Sequence, residues 1–287
     1  MNLKNRQLKY LLLLNLGMLC ISTSGALGRY IQLPPPLTIW WRAFFAIFFL
    51  GAFLLIKKYP FAINFKKKGG ILLISGILMA AHWITYFYAL QWSNVTIAML
   101  SLFTYPVMTA LLEPLFLKTP FQSRHIFLGG LVLAGVYFLA PELNPENAMT
   151  QGLLIGLLSA FVYSLRNILL KTQINVLNGS VLMFYQMVVT VMLTAPTLFI
   201  YQDAPVSDYW PYLLMLGLIT TSIGHTLFLN SFKHFSVSSA SLLGGMQPIY
   251  GIVLAAIFLH EFPSWWNVIG GVLIIAAVLL ESRLSGK

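Results

Sequence analysis

Ten apolar stretches follow one another along this chain, each near the length that carries a helix across a bilayer. They run over 8–29, 37–57, 70–91, 95–117, 123–141, 150–171, 180–201, 210–232, 236–259 and 264–283. A hydrocarbon core of about 30 Å takes roughly 20 apolar residues of helix. In lipid a spanning segment must satisfy its own backbone hydrogen bonds, which leaves helices or closed barrels. Runs of this length and evenness predict helices. The punctuation agrees: Pro34-Pro35-Pro36, Lys66-Lys67-Lys68-Gly69-Gly70, Pro120, Pro141 to Pro145, Asn178-Gly179, Pro205 and Pro263. The connections are too short to hold a soluble domain.

Charge explains how such a chain would lie. Charged residues are only 8% of 287, while hydrophobic ones are 59%, against about 25% and roughly 45–50% in soluble domains. A net charge of +10 in a soluble protein would suggest nucleic acid; here the basic residues lie mostly between apolar runs, so no nucleic-acid partner is expected. With the N-terminus placed inside, the inner segments carry Lys4, Arg6, Lys9, Lys57, Lys58, Lys66, Lys67, Lys68, Lys118, Arg124, Lys171, Lys233, Arg283 and Lys287, which is 14 of the 17 basic residues. The outer segments carry Arg29 alone, and Arg42 and Arg166 lie within spans. Glu142, Glu146, Asp203, Asp208 and Glu261 fall outside. An even number of spans with both termini cytoplasmic satisfies the positive-inside rule, and a bacterial cytoplasmic (inner) membrane is the expected location. Lys4, Arg6 and Lys9 before a leucine-rich run also have the look of a signal peptide. Removing that run would spoil the charge alternation, so it is kept as the first span.

The chain also repeats itself. Ala98-Met99-Leu100-Ser101-Leu102-Phe103-Thr104-Tyr105-Pro106 is followed by an apolar run, a break and Gly129-Gly130. Ala240-Ser241-Leu242-Leu243-Gly244-Gly245-Met246-Gln247-Pro248 is followed by another run, Glu261, a break and Gly270-Gly271. The offset of the two prolines (248 − 106) is 142 residues, close to half the chain. Trp40-Trp41-Arg42-Ala43 then faces Phe184-Tyr185-Gln186-Met187, and His82 lies within one position of the equivalent of His225. Five spans per half is an odd number, which turns the second half over in the membrane. The expected fold is an all-α polytopic membrane protein of ten transmembrane helices, built as two inverted five-helix repeats over 1–146 and 147–287. Inverted repeats place a site at the midplane with alternating access.

These features resemble the drug/metabolite transporter superfamily, and the chain is most similar to its EamA-type transporters. The resemblance rests on Ala98…Tyr105-Pro106 and Ala240…Gln247-Pro248, with Ser22-Thr23-Ser24-Gly25, Ile39-Trp40-Trp41-Arg42-Ala43 and Tyr86-Phe87-Tyr88-Ala89-Leu90 in support. It implies efflux or exchange of small metabolites, often amino acids, through a cavity lined by spans one, three, four, six, eight and nine. The family often places a Glu after the fourth and ninth spans. Glu261 fits the ninth, but the fourth ends Leu117-Lys118-Thr119, and Glu113 lies earlier, inside the helix.

Polar groups within the spans are the candidate site, because a charged side chain at mid-helix costs about 2.5–3.5 kcal/mol on insertion scales. Tyr105, Gln247, Tyr163, His82, Tyr86 and Ser22 form the expected substrate site near the midplane, with Trp83 and Tyr88 in the same aromatic group; the plainer reading of any one aromatic is packing. Glu113, Arg166, Arg42 and His225 are the gate or coupling candidates. For Arg42, a few residues into its span, two readings stand: snorkelling or a structural bond, and a substrate or gate role. Glu113 beside Pro114 lies at about the depth of Arg166, so the two are expected to pair, as a gate or as a fixed structural pair. His82 and His225 relay protons in one reading and pack through hydrogen bonds in the other. Gly152 and Gly156 form a small-xxx-small motif, read as close packing of span six rather than dimerisation. The chain is expected to act as a monomer, with a dimer as the alternative.

Catalytic and nucleotide motifs are lacking: G-x-G-x-x-G after a strand, a P-loop, H-E-x-x-H and G-x-S-x-G do not occur. The single cysteine, Cys20, excludes an intramolecular disulfide, and neither His82 nor His225 has ligands at metal spacing. No cofactor and no metal are expected. The chain reads as a secondary active transporter, an exporter or exchanger of small metabolites such as amino acids. The alternatives are a carrier of amphiphilic drugs or nucleotide-type metabolites, a polytopic membrane enzyme, and a channel.

Overall fold

The computed structural model describes residues 3–59, 65–117, 123–139, 144–171, 173, 177–235 and 244–285. The side chains of Lys4, Arg6, Lys66, Lys67, Lys68, Arg124 and Arg283 lie outside what is described, as do Lys118, Pro120, Pro141, Glu142, Lys287 and residues 240–243 of the second proline signature. All regular structure among the described residues is helical. Helix α1 (Leu3–Tyr30) is followed by α2 (Pro35–Ile56), whose proline sits where a missing N–H costs nothing. Next come α3 (Phe65–Trp92) and α4 (Val95–Leu102), the latter capped by the Asn94 side chain, which accepts from the Ile97 N–H at 2.8 Å. The first half closes with α5 (Tyr105–Leu117) and α6 (Arg124–Leu139).

The second half holds α7 (Ala148–Lys171), α8 (Gly179–Thr194) and a short α9 (Thr197–Ile200) after the Pro196 break. Then α10 (Trp210–Met215) runs into a π-helical stretch, Leu216–His225, and on into α11 (Thr226–Ser231). Helices α12 (Met246–Leu259) and α13 (Trp265–Ser285) complete it. Among the described residues, six helical segments are long and apolar enough to cross a membrane: Leu8–Tyr30, Pro35–Ile56, Gly69–Trp92, Val95–Leu117, Ala148–Lys171 and Trp210–Ser231. Shorter apolar helices, His125–Leu139, Gly179–Thr194, Met246–Leu259 and Trp265–Leu280, occupy the other expected stretches.

The distribution of side chains inverts that of a soluble protein. Arg42, Arg166, Asn167, Gln186, Thr220 and Thr221 are buried, while Leu133, Phe199, Phe258 and Phe262 are exposed. Polar groups gather inside because the surrounding solvent, lipid, offers them no hydrogen bonds. The closest packing crosses between the halves: α3 against α7, α6 against α13, α2 against α8 and α1 against α12. Each half therefore completes its core on the other.

Small residues permit these crossings. Gly152 and Gly156 of α7 face Ser93 and Ser101, so the motif serves packing within the chain. At the α6–α13 crossing a Cβ on Gly270 would stand 2.6 Å from the carbonyl oxygen of Gly135. By contrast Gly130, in the first half's glycine pair, has nothing within 4 Å. Gly270→Val should therefore lower the stability of the purified protein by about 1–3 kcal/mol, read as a lower apparent Tm in detergent. Gly130→Ala should leave it unchanged or raise it by up to about 1 kcal/mol.

Candidate functional site

The site begins at two helix restarts. α4 ends at Leu102 and α5 starts at Tyr105, putting Pro106 in the first turn of the new helix. In the second half Gly244 and Gly245 turn the chain before α12, and Pro248 again falls in a first turn. A first-turn proline loses no intrahelical bond, so the same residue that stops one helix lets the next begin. The carbonyl before each proline is held by a serine of the opposite half. Ser22 Oγ donates to Gln247 O at 2.8 Å, and Ser164 Oγ donates to Tyr105 O at 3.0 Å. The same hydroxyls are shared with the carbonyls one turn back, Met18 and Ala160. Ser22 and Ser164 stand 142 residues apart, as do Tyr105 and Gln247 (164 − 22 and 247 − 105). The two bonds are the same bond, made once by each repeat.

Between these restarts lies a narrow cleft lined by Ile21, Ser24, His82, Trp83, Tyr86, Leu102, Tyr163, His225 and Gln247, with free volume of about 10 Å³, near the room of one water. Those residues come from α1, α3, α4, α7, the end of the π stretch and α12, which sit at spans one, three, four, six, eight and nine. His82, Tyr86, Tyr163 and Gln247 of the expected substrate site are on the wall. Two others are not: Ser22 is spent on the Gln247 carbonyl, and Tyr105 stands behind Tyr163, ring to ring at 4.9 Å. Tyr88 packs on Trp92 instead, with centroids 5.0 Å apart. His225, expected at a gate, is on the wall, 5.4 Å from the Trp83 ring.

His82 is held on three sides. Ser159 Oγ donates to the His82 carbonyl at 2.8 Å and lies 2.8 Å from Nδ1, an arrangement that assigns the ring proton to Nδ1. Its ring stacks on Tyr163 at 4.2 Å. The π stretch shapes the opposite wall. There the Thr221 and Ser222 hydroxyls donate to carbonyls five residues back, and Thr220 meets Thr23 at 3.1 Å. Such an insertion turns the following residues relative to a regular helix, and π segments are frequent at functional sites.

The two intramembrane arginines are handled differently. Arg166 Nε and Nη2 donate to Gln186 Oε1 at 3.3 and 2.6 Å, Nη1 donates to Asn167 Oδ1 at 3.0 Å, and Nη2 also reaches Met183 Sδ. Gln186 donates in turn to Ser75 Oγ at 3.4 Å. Arg166 is not paired with Glu113 here: the buried amide oxygens of Gln186, on the next helix, and of Asn167, its neighbour on α7, take its donors. Glu113, half-buried, bears electrostatically on Lys171 instead. Arg42 does not snorkel to an interface either. Its guanidinium is fully buried and stacks 3.7 Å from the centroid of Trp83, and its Nε donates to Thr221 Oγ1 at 2.8 Å. Crossing to α3 and the π stretch brings it aromatic and hydroxyl contacts that the interface would not.

One end of the bundle is tied by an ion pair absent from the sequence-based expectations. Arg29 Nε lies 2.7 Å from Glu261 Oε1, and Arg29 Nη1 donates to the Leu90 and Gln91 carbonyls at 3.0 and 2.9 Å. Glu261 Oε2 accepts the Val95 N–H at 2.9 Å, at the start of α4. His260 makes this possible: its left-handed φ of 55° ends α12 and returns the chain toward α1. At the other end Lys171, 142 residues after Arg29, donates to the carbonyls of Phe232 and Phe235 at 3.1 and 3.2 Å.

A model of the EamA-like transporter family matches the chain twice, over residues 8–140 and 150–283. The chain belongs to the EamA-like transporter family. It is therefore a polytopic membrane transporter, with a small molecule as its cargo. Among EamA relatives, an uncharacterized transporter of Bacillus subtilis is 24% identical over 286 residues, spanning 95% of this chain and 89% of that protein. A pseudopaline exporter of Pseudomonas aeruginosa is 22% identical over 239 residues, 83% of each chain. A crystal structure with 18% identity superposes with a TM-score of 0.72, covering 97% of this EamA chain and 99% of the other, which speaks for the fold.

Proposed function

We propose that this protein is a secondary active carrier that exports or exchanges small metabolites such as amino acids. It works by alternating access around the six-helix cleft, with the halves 1–146 and 147–287 inverted in a bacterial cytoplasmic membrane and both termini inside. The observation that carries this reading is the pair of crossed bonds from Ser22 to Gln247 O and from Ser164 to Tyr105 O. Repeat-related contacts on the two broken helices give two equivalent ways to close around one site, as inverted repeats require. In this reading His82, Tyr86, Tyr163 and Gln247 face the substrate, and Arg29 with Glu261 closes the outer end. The similarity to an exporter supports the direction.

Counterflow in liposomes tests it. Purified protein should exchange labelled amino acids saturably, and unlabelled substrate on the far side should accelerate the flux at least severalfold. Ion currents without such acceleration would mark a channel and overturn the reading.

A further inference from the structure

We infer that Arg42 is the docking point for a carboxylate of the transported molecule; the inference rests on the carrier reading above. Arg42 is fully buried, and its Nη1 and Nη2 have no hydrogen-bond partner. Its position is held from two sides, by Trp83 against the guanidinium face at 3.7 Å and by Thr221 on Nε. Trp83 is itself part of the cleft wall, as are Tyr86 and His225, and His225 Nδ1 also lacks a partner. Among the described residues the ion pair is Arg29 with Glu261, so no described carboxylate balances Arg42.

The contrast with Arg166 decides the assignment. Both arginines are buried, but Arg166 spends its nitrogens on Gln186, Asn167 and Met183. Arg42 keeps the two terminal amino groups of a planar fork unspent, stacked on the Trp83 of the cleft wall. A buried cation is costly without a counter-charge, and a guanidinium presents paired donors at the spacing of a carboxylate's oxygens. Two charge-assisted bonds of that kind are strong and selective for planar oxyanions. Of the remaining wall, Ile21, Leu102 and Tyr163 suit the carbon skeleton, and Ser24, His82 and Gln247 add polar groups. A cleft with about 10 Å³ free must widen to admit it, so binding and the opening of the halves are coupled.

The test uses wild-type protein, R42K and R42Q in liposomes and in detergent, with L-leucine, L-phenylalanine, phenylpyruvate and benzoate set against leucinamide, phenylalaninamide and benzamide. Wild type should bind and exchange at least one of the acids tenfold or more better than its amide. R42Q should lose that preference, weakening the acid roughly ten- to a hundredfold and the amide by a much smaller factor. R42K, which keeps the charge and loses the fork, should fall between them. A monodisperse elution profile and an unchanged circular-dichroism spectrum show that each variant is folded; where R42Q fails this, R42K alone carries the comparison. Acids and amides handled alike by wild type, or a preference intact in the folded variants, would overturn the assignment while leaving the carrier reading standing. Binding and exchange of none of the panel would remove the carboxylate assignment, and absence of counterflow with any metabolite would remove both.

Discussion

Glu261→Gln should shift the carrier toward the conformation open at the Arg29 end by about five- to thirtyfold. The carboxylate ties four helices at one point: α1 through Arg29 Nε, α4 through the Val95 N–H, α3 through the other Arg29 nitrogen on Leu90 and Gln91, and α12 through its own chain. The side chains are 29% and 23% exposed, so solvent screens the pair and its Coulomb energy is modest. Two charge-assisted bonds lost in that setting are worth about 1–2 kcal/mol, which gives the stated factor. Spin labels on cysteines at Gln32 and Phe262, with Cys20 replaced by serine, would report a longer distance and a broader distribution. Charge reversal should not rescue. With Arg29→Glu the new carboxylate would face the Leu90 and Gln91 carbonyls, and with Glu261→Arg the Val95 N–H loses its acceptor. An unchanged distance in E261Q, or recovery in the reversed double variant, would show that the pair is not what holds this end.

What the sequence made legible follows from how the solvent filters it. In lipid an apolar run of about twenty residues has few alternatives, so the positions of the ten stretches could be read directly. Pro106 and Pro248 were legible for a similar reason, since a proline at a helix start gives up no N–H that the helix needs. Arg42 shows where such reading stops. Its place near the start of α2 suggested an interfacial anchor; its actual contacts, Trp83 and Thr221, come from α3 and the π stretch, and no local pattern fixes that rotation.

Depth alone also misled for Glu113 and Arg166. Two opposite charges at one level of a membrane look like partners, yet Gln186 stands closer and accepts from two of the Arg166 nitrogens. The π stretch had no clear signal beyond its run of small and hydroxylic residues, Gly217, Thr220, Thr221, Ser222 and Gly224. Arg29 could have been found: it is the basic residue that breaks the positive-inside pattern, and Glu261 is the acidic residue that closes the matching span. An exception to a topology rule is worth pairing with the acids on the same side.

The comparison of the halves then separates scaffold from specificity. Arg29 on Leu90 O and Lys171 on Phe232 O are one contact made twice, 142 residues apart at both donor and acceptor. Arg42 and Gln186 are also repeat equivalents, offset by 144, but their chemistry differs. Gln186 gives its oxygen to Arg166, whereas Arg42 brings a charge of its own. One repeat takes up the donors of its buried cation, Arg166, at the level where the other leaves two amino groups of Arg42 unspent. On the assignment of Arg42 to a substrate carboxylate, that mismatch is where a symmetric scaffold would acquire a preferred substrate.

A double-mutant cycle on Arg166 and Gln186 should return a coupling of about 1.5–3 kcal/mol, the range of hydrogen bonds to a charged group. Arg166→Met removes the cation while keeping much of its length, and leaves Gln186 Oε1 without its donors. Gln186→Leu leaves a buried guanidinium with only Asn167 Oδ1 and Met183 Sδ, which should be the more damaging single change because an unpaired charge is costlier than an unpaired amide. Together the two replacements remove both orphaned groups, so the double variant should be more stable than Gln186→Leu alone. Apparent unfolding free energies in mixed micelles would give the four corners of the cycle. Glu113→Gln serves as the comparison: since Arg166 makes none of its hydrogen bonds to Glu113, its cycle with Arg166→Met should be additive within about 0.5 kcal/mol. Coupling of Arg166 to Glu113 as large as that to Gln186 would restore the ion pair suggested by depth and remove Gln186 from its place.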